Sequence, residues 1–372
     1  MKILLLGEYS NVHWTLAEGL RKLGHEVCVV SDGDRWKGYK RDVDLSRKSF
    51  SLVDTMKYMA KVHRLMPKLR NYDVVQIINP IFLDLRASRN LPFYKSLRRH
   101  NKRMFMCAFG MDYYWVKTCL DCKTFRYSDF NLGSRQRTEE PFNRQFIKDW
   151  MGDEKKPLNE YIAQDCDGII TGLYEYDACY RPVFPDKTHY IPFPIDMTGV
   201  NRVVEYHEGD KVRIFIGIQK NKSEYKGTDI MLLAAEKVQR KYADMLELVK
   251  VESVPFEEYQ DTMNSCHIML DQLYGYSPAM NALLAMSKGM VVVGGGEEET
   301  YDILEEKELR PIINVVPEEE DVYNKLEQLI LNPSIIPVLS QQSIDFIRRH
   351  HDYVKVAEEY VKVFTSLPTS KK

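Results

Sequence analysis

Short continuous apolar runs alternate with helically spaced stretches along most of this chain, and that alternation constrains the fold more than any other feature. Ile3-Leu4-Leu5-Leu6 is the first run. A run that is apolar at every position has no face for water, so it reads as a strand buried on both sides, as in a parallel sheet. It stops at Gly7. Trp14, Ala17, Leu20 and Leu23 then share one helical face over about 12–23, closed by Gly24. Glu26 to Val30 is the next strand, ended by Ser31-Asp32-Gly33-Asp34. Strand, helix and strand in this order are the building block of a doubly wound sheet.

Further strands are expected at 74–78, 103–108 and 168–171, with helical stretches over about 50–70 and near 90–100. A polar excursion over about 117–155 reads as an insertion. Tyr190-Ile191-Pro192-Phe193-Pro194-Ile195-Asp196 carries two prolines that forbid helix, and the polar stretch behind it, to about Gly209, reads as a linker. A second series then starts at Val212-Arg213-Ile214-Phe215-Ile216-Gly217, with strands at 246–251, 267–270 and 290–293 and helices over 228–241, 256–264 and 278–287. Length agrees with two series, since 372 residues exceed what one core of about 250–300 residues serves. The expectation is an α/β protein of two Rossmann-like domains facing each other across a cleft. Residues 1–196 form the first, 210–350 the second, and 351–372 a final helix bearing Val354, Val356, Ala357, Tyr360, Val361 and Phe364.

The net charge of -2 conceals a division. Residues 1–200 hold 32 Lys and Arg against 25 Asp and Glu, residues 201–372 hold 20 against 29, and the stretch 35–103 holds 18 against 5. A basic field of that kind attracts anionic surfaces or substrates. Within it Leu52, Met56, Met59, Val62 or His63, Met66 and Leu69 follow helical spacing, Lys57, Lys61, Arg64, Lys68 and Arg70 fall on other faces, and Pro67 ends or kinks the helix. Such a helix reads either as a peripheral contact with anionic membrane or as a core-packing helix with a solvated face.

Several classes are excluded or disfavoured. The seven cysteines are scattered, and Cys119-x-x-Cys122 has no second pair at zinc spacing, so reduced thiols of a cytoplasmic protein are expected, with no metal. The first apolar run is too short for a signal sequence, and no stretch nears the roughly 20 apolar residues of a membrane span. A pI of about 6.5 without a reader motif argues against nucleic acid. Gly-x-Ser-x-Gly, His-Glu-x-x-His and Walker motifs are all missing from the sequence.

Two loops carry candidate chemistry. The turn Gly7-Glu8-Tyr9-Ser10-Asn11-Val12-His13 has one glycine where a dinucleotide fingerprint needs three, which argues against NAD. In the second series, Ser277-Pro278 has the N-cap and N1 order of a helix start. The N–H groups of Ala279, Met280 and Asn281 would then suit a diphosphate, unless Ser277 simply caps an ordinary helix. The strand-end loop 218–227 adds Lys220, Lys222 and Lys226 as point charges for phosphate, and its bland counterpart is a solvated lysine run. The run Gly294-Gly295-Gly296 would let backbone approach a ligand, or is a flexible turn.

Taken in order, the strand-Gly-loop-His13 start, Gly24-His25-Glu26-Val27, Pro192-Phe193-Pro194-Ile195-Asp196, Lys226-Gly227 and Ala285-Met286-Ser287-Lys288-Gly289 resemble the GT-B glycosyltransferases of the "glycosyl transferases group 1" kind, over almost the whole chain. The resemblance implies a retaining sugar transferase that uses a nucleotide-diphosphate sugar; the expected function is transfer to a glycan or lipid-linked glycan in surface polysaccharide synthesis, without a metal or other cofactor, and the cysteines and basic helix place it in the cytoplasm or peripherally at the inner face of the membrane. It implies that Lys226-Gly227 holds the donor diphosphate, that the 278–287 helix is the donor-binding helix, and that the last helix returns to the first domain. His13 and Asp112 of Phe109-Gly110-Met111-Asp112 would touch the transferred sugar or acceptor, with Gly7 and Asn11 shaping their loop. The family usually has two glutamates eight positions apart; here those positions are Tyr276 and Leu284. Asp271, Glu297 and Glu299 are the substitutes at hand. A binding protein that lost turnover and a nucleotide-sugar epimerase are the competing readings.

Overall fold

Each run read as a buried strand is a strand in the computed structural model, which describes residues 1–199, 202–219, 222–252, 254 and 256–366. The chain divides into two compact units. One comprises Met1–Thr118, Phe146–Asp196 and the C-terminal segment from Tyr353; the other comprises Cys119–Gln145 and Met197–Asp352. The segment 119–145, expected as part of the first domain, therefore belongs to the second unit.

In chain order the elements are β1 (Lys2–Leu6), α1 (Val12–Lys22), β2 (Glu26–Ser31), β3 (Val43–Asp44), α2 (Leu52–Leu65), β4 (Val74–Ile77), α3 (Ala87–His100), β5 (Arg103–Ala108) and α4 (Tyr113–Cys119). The insertion supplies β6 (Tyr127–Ser128), β7 (Asn131–Leu132), β8 (Arg135–Gln136) and α5 (Pro141–Trp150), before α6 (Lys155–Asp165), β9 (Gly168–Thr171), α7 (Tyr174–Tyr180) and β10 (Thr188–Tyr190). The second series is β11 (Val212–Ile218), α8 (Ser223–Lys226), α9 (Thr228–Lys241), β12 (Leu246–Glu252), α10 (Phe256–Asn264), β13 (Ile268–Leu270), α11 (Met280–Ser287), β14 (Val291–Gly294), α12 (Glu298–Ile303), β15 (Ile313–Asn314), α13 (Glu319–Leu331) and α14 (Ile336–His350). Helix α15 (Tyr353–Ser366) ends the described chain.

The first unit holds a seven-stranded sheet in the order β10-β9-β5-β4-β1-β2-β3, parallel throughout. Ile3 to Leu6 are buried with no solvated face, which is why the run could be apolar at every position. Strand order reverses direction between β1 and β4, so a crevice opens at their carboxyl ends. Helix α15 closes the unit against α1. Gly19 permits that approach, because a Cβ there would lie 2.2 Å from the Tyr353 carbonyl oxygen, and Phe364 meets Phe105 with ring centroids 4.8 Å apart.

The second unit holds a parallel sheet in the order β12-β11-β13-β14-β15, with its reversal between β11 and β13. Its core joins Val212, Ile214 and Ile216 of β11 to Met231, Ala234 and Val238 of α9 and Leu326 and Ile330 of α13. The small antiparallel sheet β6-β7-β8 is the body of the insertion.

Candidate active site

In the second unit the loops after β11 and β13 flank the point where strand order reverses, the position at which open α/β sheets bind ligands. They are packed into one piece. The Leu273 N–H donates to the Lys226 carbonyl at 3.0 Å, and a Cβ on Gly227 would lie 2.8 Å from Leu273 Cβ. Gly227 has φ +72°, a conformation glycine adopts without strain. Asp271 lies beneath; burial pushes its carboxyl up to about 6, and the Lys226 ammonium opposes that rise.

Helix α11 starts two residues later than Ser277-Pro278 predicts. The N-cap is Ala279, which has no side chain able to accept from the first turn. Ser277 is turned inward instead, its hydroxyl 2.8 Å from Thr300 Oγ1, and is 4% exposed. The Ser277 cap is thereby corrected: the N-cap position belongs to Ala279, and the Ser277 hydroxyl bonds to Thr300 of α12. The first-turn N–H groups become those of Met280, Asn281 and Ala282 at an N-terminus without a side-chain cap, where Asn281 is exposed. The Gly294-Gly295-Gly296 run serves the protein's own loop, since a Cβ on Gly295 would sit 2.3 Å from the Gly275 carbonyl oxygen.

Sequence reasoning missed what the insertion does. Its residues lie on these same loops and fix them from above. Arg137, buried, donates to the Glu224 carbonyl at 2.9 Å and the Asp129 carbonyl at 3.0 Å, and its guanidinium stacks 3.6 Å from the Tyr274 ring centroid. The Tyr225 hydroxyl donates to Asp129 at 2.8 Å. Tyr276, standing where the resemblance expects a glutamate, accepts the Arg126 N–H on its hydroxyl at 2.7 Å and has the Tyr127 ring 5.0 Å away. Glu297 accepts from Arg126 at 2.9 Å and from the Tyr127 hydroxyl, and Glu299 accepts from Arg126 at 2.5 Å. The Arg126 guanidinium holds the Glu299 carboxyl below its usual range. Only the density of arginine and tyrosine within the excursion hinted at this, and spacing cannot say which loop they meet.

Lys226 thus stands at the β11/β13 reversal, and Glu297 and Glu299 are held by Arg126 of the insertion. Lys220 lies outside the described residues. Leu284 falls in the middle of α11.

In the first unit the β1/β4 reversal opens a pocket of about 120 Å³. Glu8, Asp32, Asp34 and Asp84 line it with Arg35 as the one guanidinium, so its charge opposes the basic bias of 35–103. Other bases of that stretch, among them Lys48, Lys57 and Arg64, are exposed at the surface. Gly7 shapes the loop at φ +84°, where a Cβ would overlap Ile78 at 2.2 Å, and Asn11 sits in left-handed conformation ahead of α1, donating to Thr15 at 3.3 Å. The Glu8 carboxylate accepts the N–H groups of His13 at 3.1 Å and Trp14 at 2.9 Å. The Glu8 carboxyl group thus occupies the amides that a dinucleotide phosphate would need. Its burial raises the Glu8 carboxyl to about 8.

His13 and Asp112 are both 0% exposed. His13 Nδ1 is 2.8 Å from the Gly7 carbonyl, Nε2 is 3.1 Å from Gln76 Nε2, and burial lowers its pKa to about 4. Asp112 caps α4 by accepting the Trp115 N–H at 2.9 Å and takes the Tyr180 hydroxyl at 2.8 Å, with burial raising it to about 7. Both side chains expected to touch sugar or acceptor lie in the interior, one tying β1 to β4 and the other starting a helix. Among the described residues no three His, Cys, Asp or Glu side chains converge on a metal position.

No family model matches the sequence, and no curated protein matches it. Solved structures do. A sucrose-phosphate synthase from Thermosynechococcus elongatus is similar at TM-score 0.61 and 10% identity over 98% of each chain. HepE of Anabaena, solved with UDP and glucose, is similar at 0.61 and 11% identity over 99% of this chain and 100% of that one. WaaG, a glycosyltransferase involved in lipopolysaccharide biosynthesis, is similar at 0.53 and 12% identity over 98% and 100%. The two parallel sheets, their strand orders and these likenesses agree: the chain has the GT-B fold of two Rossmann-like domains.

Proposed function

We propose that the chain is a glycosyltransferase that moves a sugar, with retention, from a nucleotide-diphosphate sugar to a glycan or lipid-linked glycan acceptor in surface polysaccharide synthesis, acting in the cytoplasm. One observation carries the reading: an α11 N-terminus without a side-chain cap beside the Lys226-Gly227 loop, both at the strand-order reversal of the second unit. Backbone amides and a helix dipole take the diphosphate there, and Lys226 offsets its charge. HepE, of the same fold, is solved with UDP-glucose. In such a scheme the protein positions the reactants and stabilises charge, which needs neither a metal nor a protein nucleophile.

The burial of His13 and Asp112 favours a second reading, a nucleotide- or glycan-binding protein without turnover. The deciding experiment is a thermal-shift panel of nucleoside diphosphates and nucleotide sugars on the wild type and Lys226→Ala, followed by mass spectrometry for transfer, hydrolysis or epimerised sugar. Transfer with a stabilising donor, weakened at least tenfold in Lys226→Ala, is the expected result. Stabilisation without any product supports the binding reading, epimerised nucleotide sugar supports an epimerase like the putative one of Listeria monocytogenes that shares the fold, and no stabilisation by any nucleotide refutes the site.

A further inference from the structure

The first half of α2 turns its apolar residues the wrong way for a core helix. Tyr58 and Val62 are the buried pair, while Leu52, Val53 and Met56 on the opposite face are 60–78% exposed. Phe50, two residues ahead of the helix, is 71% exposed, and Trp36 is 64% exposed. These five belong to one region. Arg47 stacks 4.3 Å from the Phe50 ring, donates to Thr55 of α2 at 2.5 Å and donates to the Asp84 carbonyl at 3.0 Å. Arg35, next to Trp36, reaches the Asp84 carboxylate at 4.0 Å.

The charge around the patch is one-sided. Residues 35–64 hold nine Lys and Arg against three Asp. The aspartates are engaged: Asp42 with Arg21 at 2.6 Å, Asp44 with Arg41 at 2.7 Å, and Asp54 with the Ser49 hydroxyl at 2.6 Å. Arg35, Lys48, Lys57 and Arg64 are left exposed. Leucine, valine, methionine and two aromatic rings flanked by exposed bases match the boundary between acyl chains and anionic headgroups, where apolar area and charge attraction add.

We infer that Trp36, Phe50, Leu52, Val53 and Met56 form a docking surface for an anionic lipid bilayer, which the flanking lysines and arginines hold by headgroup charge. None of the five apolar residues lines the pocket of this unit, and the surface does not depend on the transferase reading.

Vesicle co-sedimentation tests it, with phosphatidylcholine alone against a mixture holding about 30% phosphatidylglycerol, at about 50 mM and 500 mM salt. The wild type should pellet with the anionic vesicles at low salt, and far less with neutral vesicles or at high salt. The combined variant Phe50→Ser, Leu52→Ser, Val53→Ser, Met56→Ser should lose at least tenfold in partitioning while melting as a folded protein. Lys48→Gln and Lys57→Gln should each cost roughly fivefold. Failure of the wild type to pellet with anionic vesicles at low salt overturns the inference. So does undiminished pelleting of the serine variant, or wild-type self-association that the serine variant loses while neither binds vesicles, which assigns the patch to a second copy of the chain.

Discussion

Replacing Gly227 by Ala tests whether the two loops at the β11/β13 reversal act as one piece. The added Cβ meets Leu273 Cβ at 2.8 Å and Leu273 Cδ1 and Tyr274 Cε2 at 3.1 Å, in a backbone held at φ +72°. The left-handed conformation costs roughly 1–2 kcal/mol for a residue with a Cβ. Crowding against a packed backbone adds about 1–3 kcal/mol. Gly209 of the same unit is the control, since it has φ +92° and nothing within 4 Å of its Cβ position, so Gly209→Ala meets the conformational cost alone. Gly227→Ala is expected to lower stability by about 2 kcal/mol more than Gly209→Ala, a difference of about 4–8 °C in Tm for a unit of this size. Differential scanning calorimetry of both variants reads it. If Lys226 moves with the loop, stabilisation by a nucleoside diphosphate drops in Gly227→Ala and persists in Gly209→Ala. Equal losses in the two variants would refute the argument that Leu273 and the Lys226-Gly227 turn are locked together.

Four further outcomes follow from buried charge and packing. Burial raises Glu8 to about 8 from 4.5, so the folded state favours its neutral form; that contribution is complete below pH 4.5 and is lost as pH rises through about 8, worth about 5 kcal/mol. Glu8→Gln should flatten the fall in stability between pH 4.5 and about 8, and an unchanged slope there would count against the buried carboxyl. Burial lowers His13 to about 4, so its contribution is complete above pH 6.5 and is lost as pH falls through about 4, worth about 3 kcal/mol; His13→Gln should flatten the acid limb. His13→Ala should cost about 2–4 kcal/mol of stability while turnover per folded molecule stays near normal, and a large loss of turnover at full folding would return His13 to the mechanism. Arg137→Ala removes a buried guanidinium with two carbonyl partners and should cost about 3 kcal/mol, whereas Arg126→Ala, half-exposed on Glu297 and Glu299, should cost about 1 kcal/mol or less; urea melts of the two variants rank them.

Much of the fold was legible because its signal is local. A strand such as Ile3–Leu6 or Val291–Val293 is buried on both faces and must be apolar at every position, and a helix such as α9 shows its one buried face as periodicity. The short strands β3, β10 and β15, of two or three residues, carry too little pattern to be seen. The Lys226-Gly227 turn was legible as a strand-end loop because it follows the buried run of β11. Ser277 was misread because sequence does not tell a hydroxyl that faces the amides of its own helix from one that faces a neighbouring element.

The sequence by itself determined two parallel βα series, their junction near residue 200 and the strand ends at which loops would gather, since burial on both faces and helical period are written along the chain. Tertiary structure alone decided that the insertion belongs to the second unit and clamps its loops through Arg126 and Arg137, that Tyr276 anchors it, and that Leu52 and Met56 face outward while Tyr58 and Val62 face the core. Those outcomes depend on residues that lie up to 173 positions apart, as Arg126 and Glu299 do. A periodic pattern records which residues share a face, but only packing determines what that face meets.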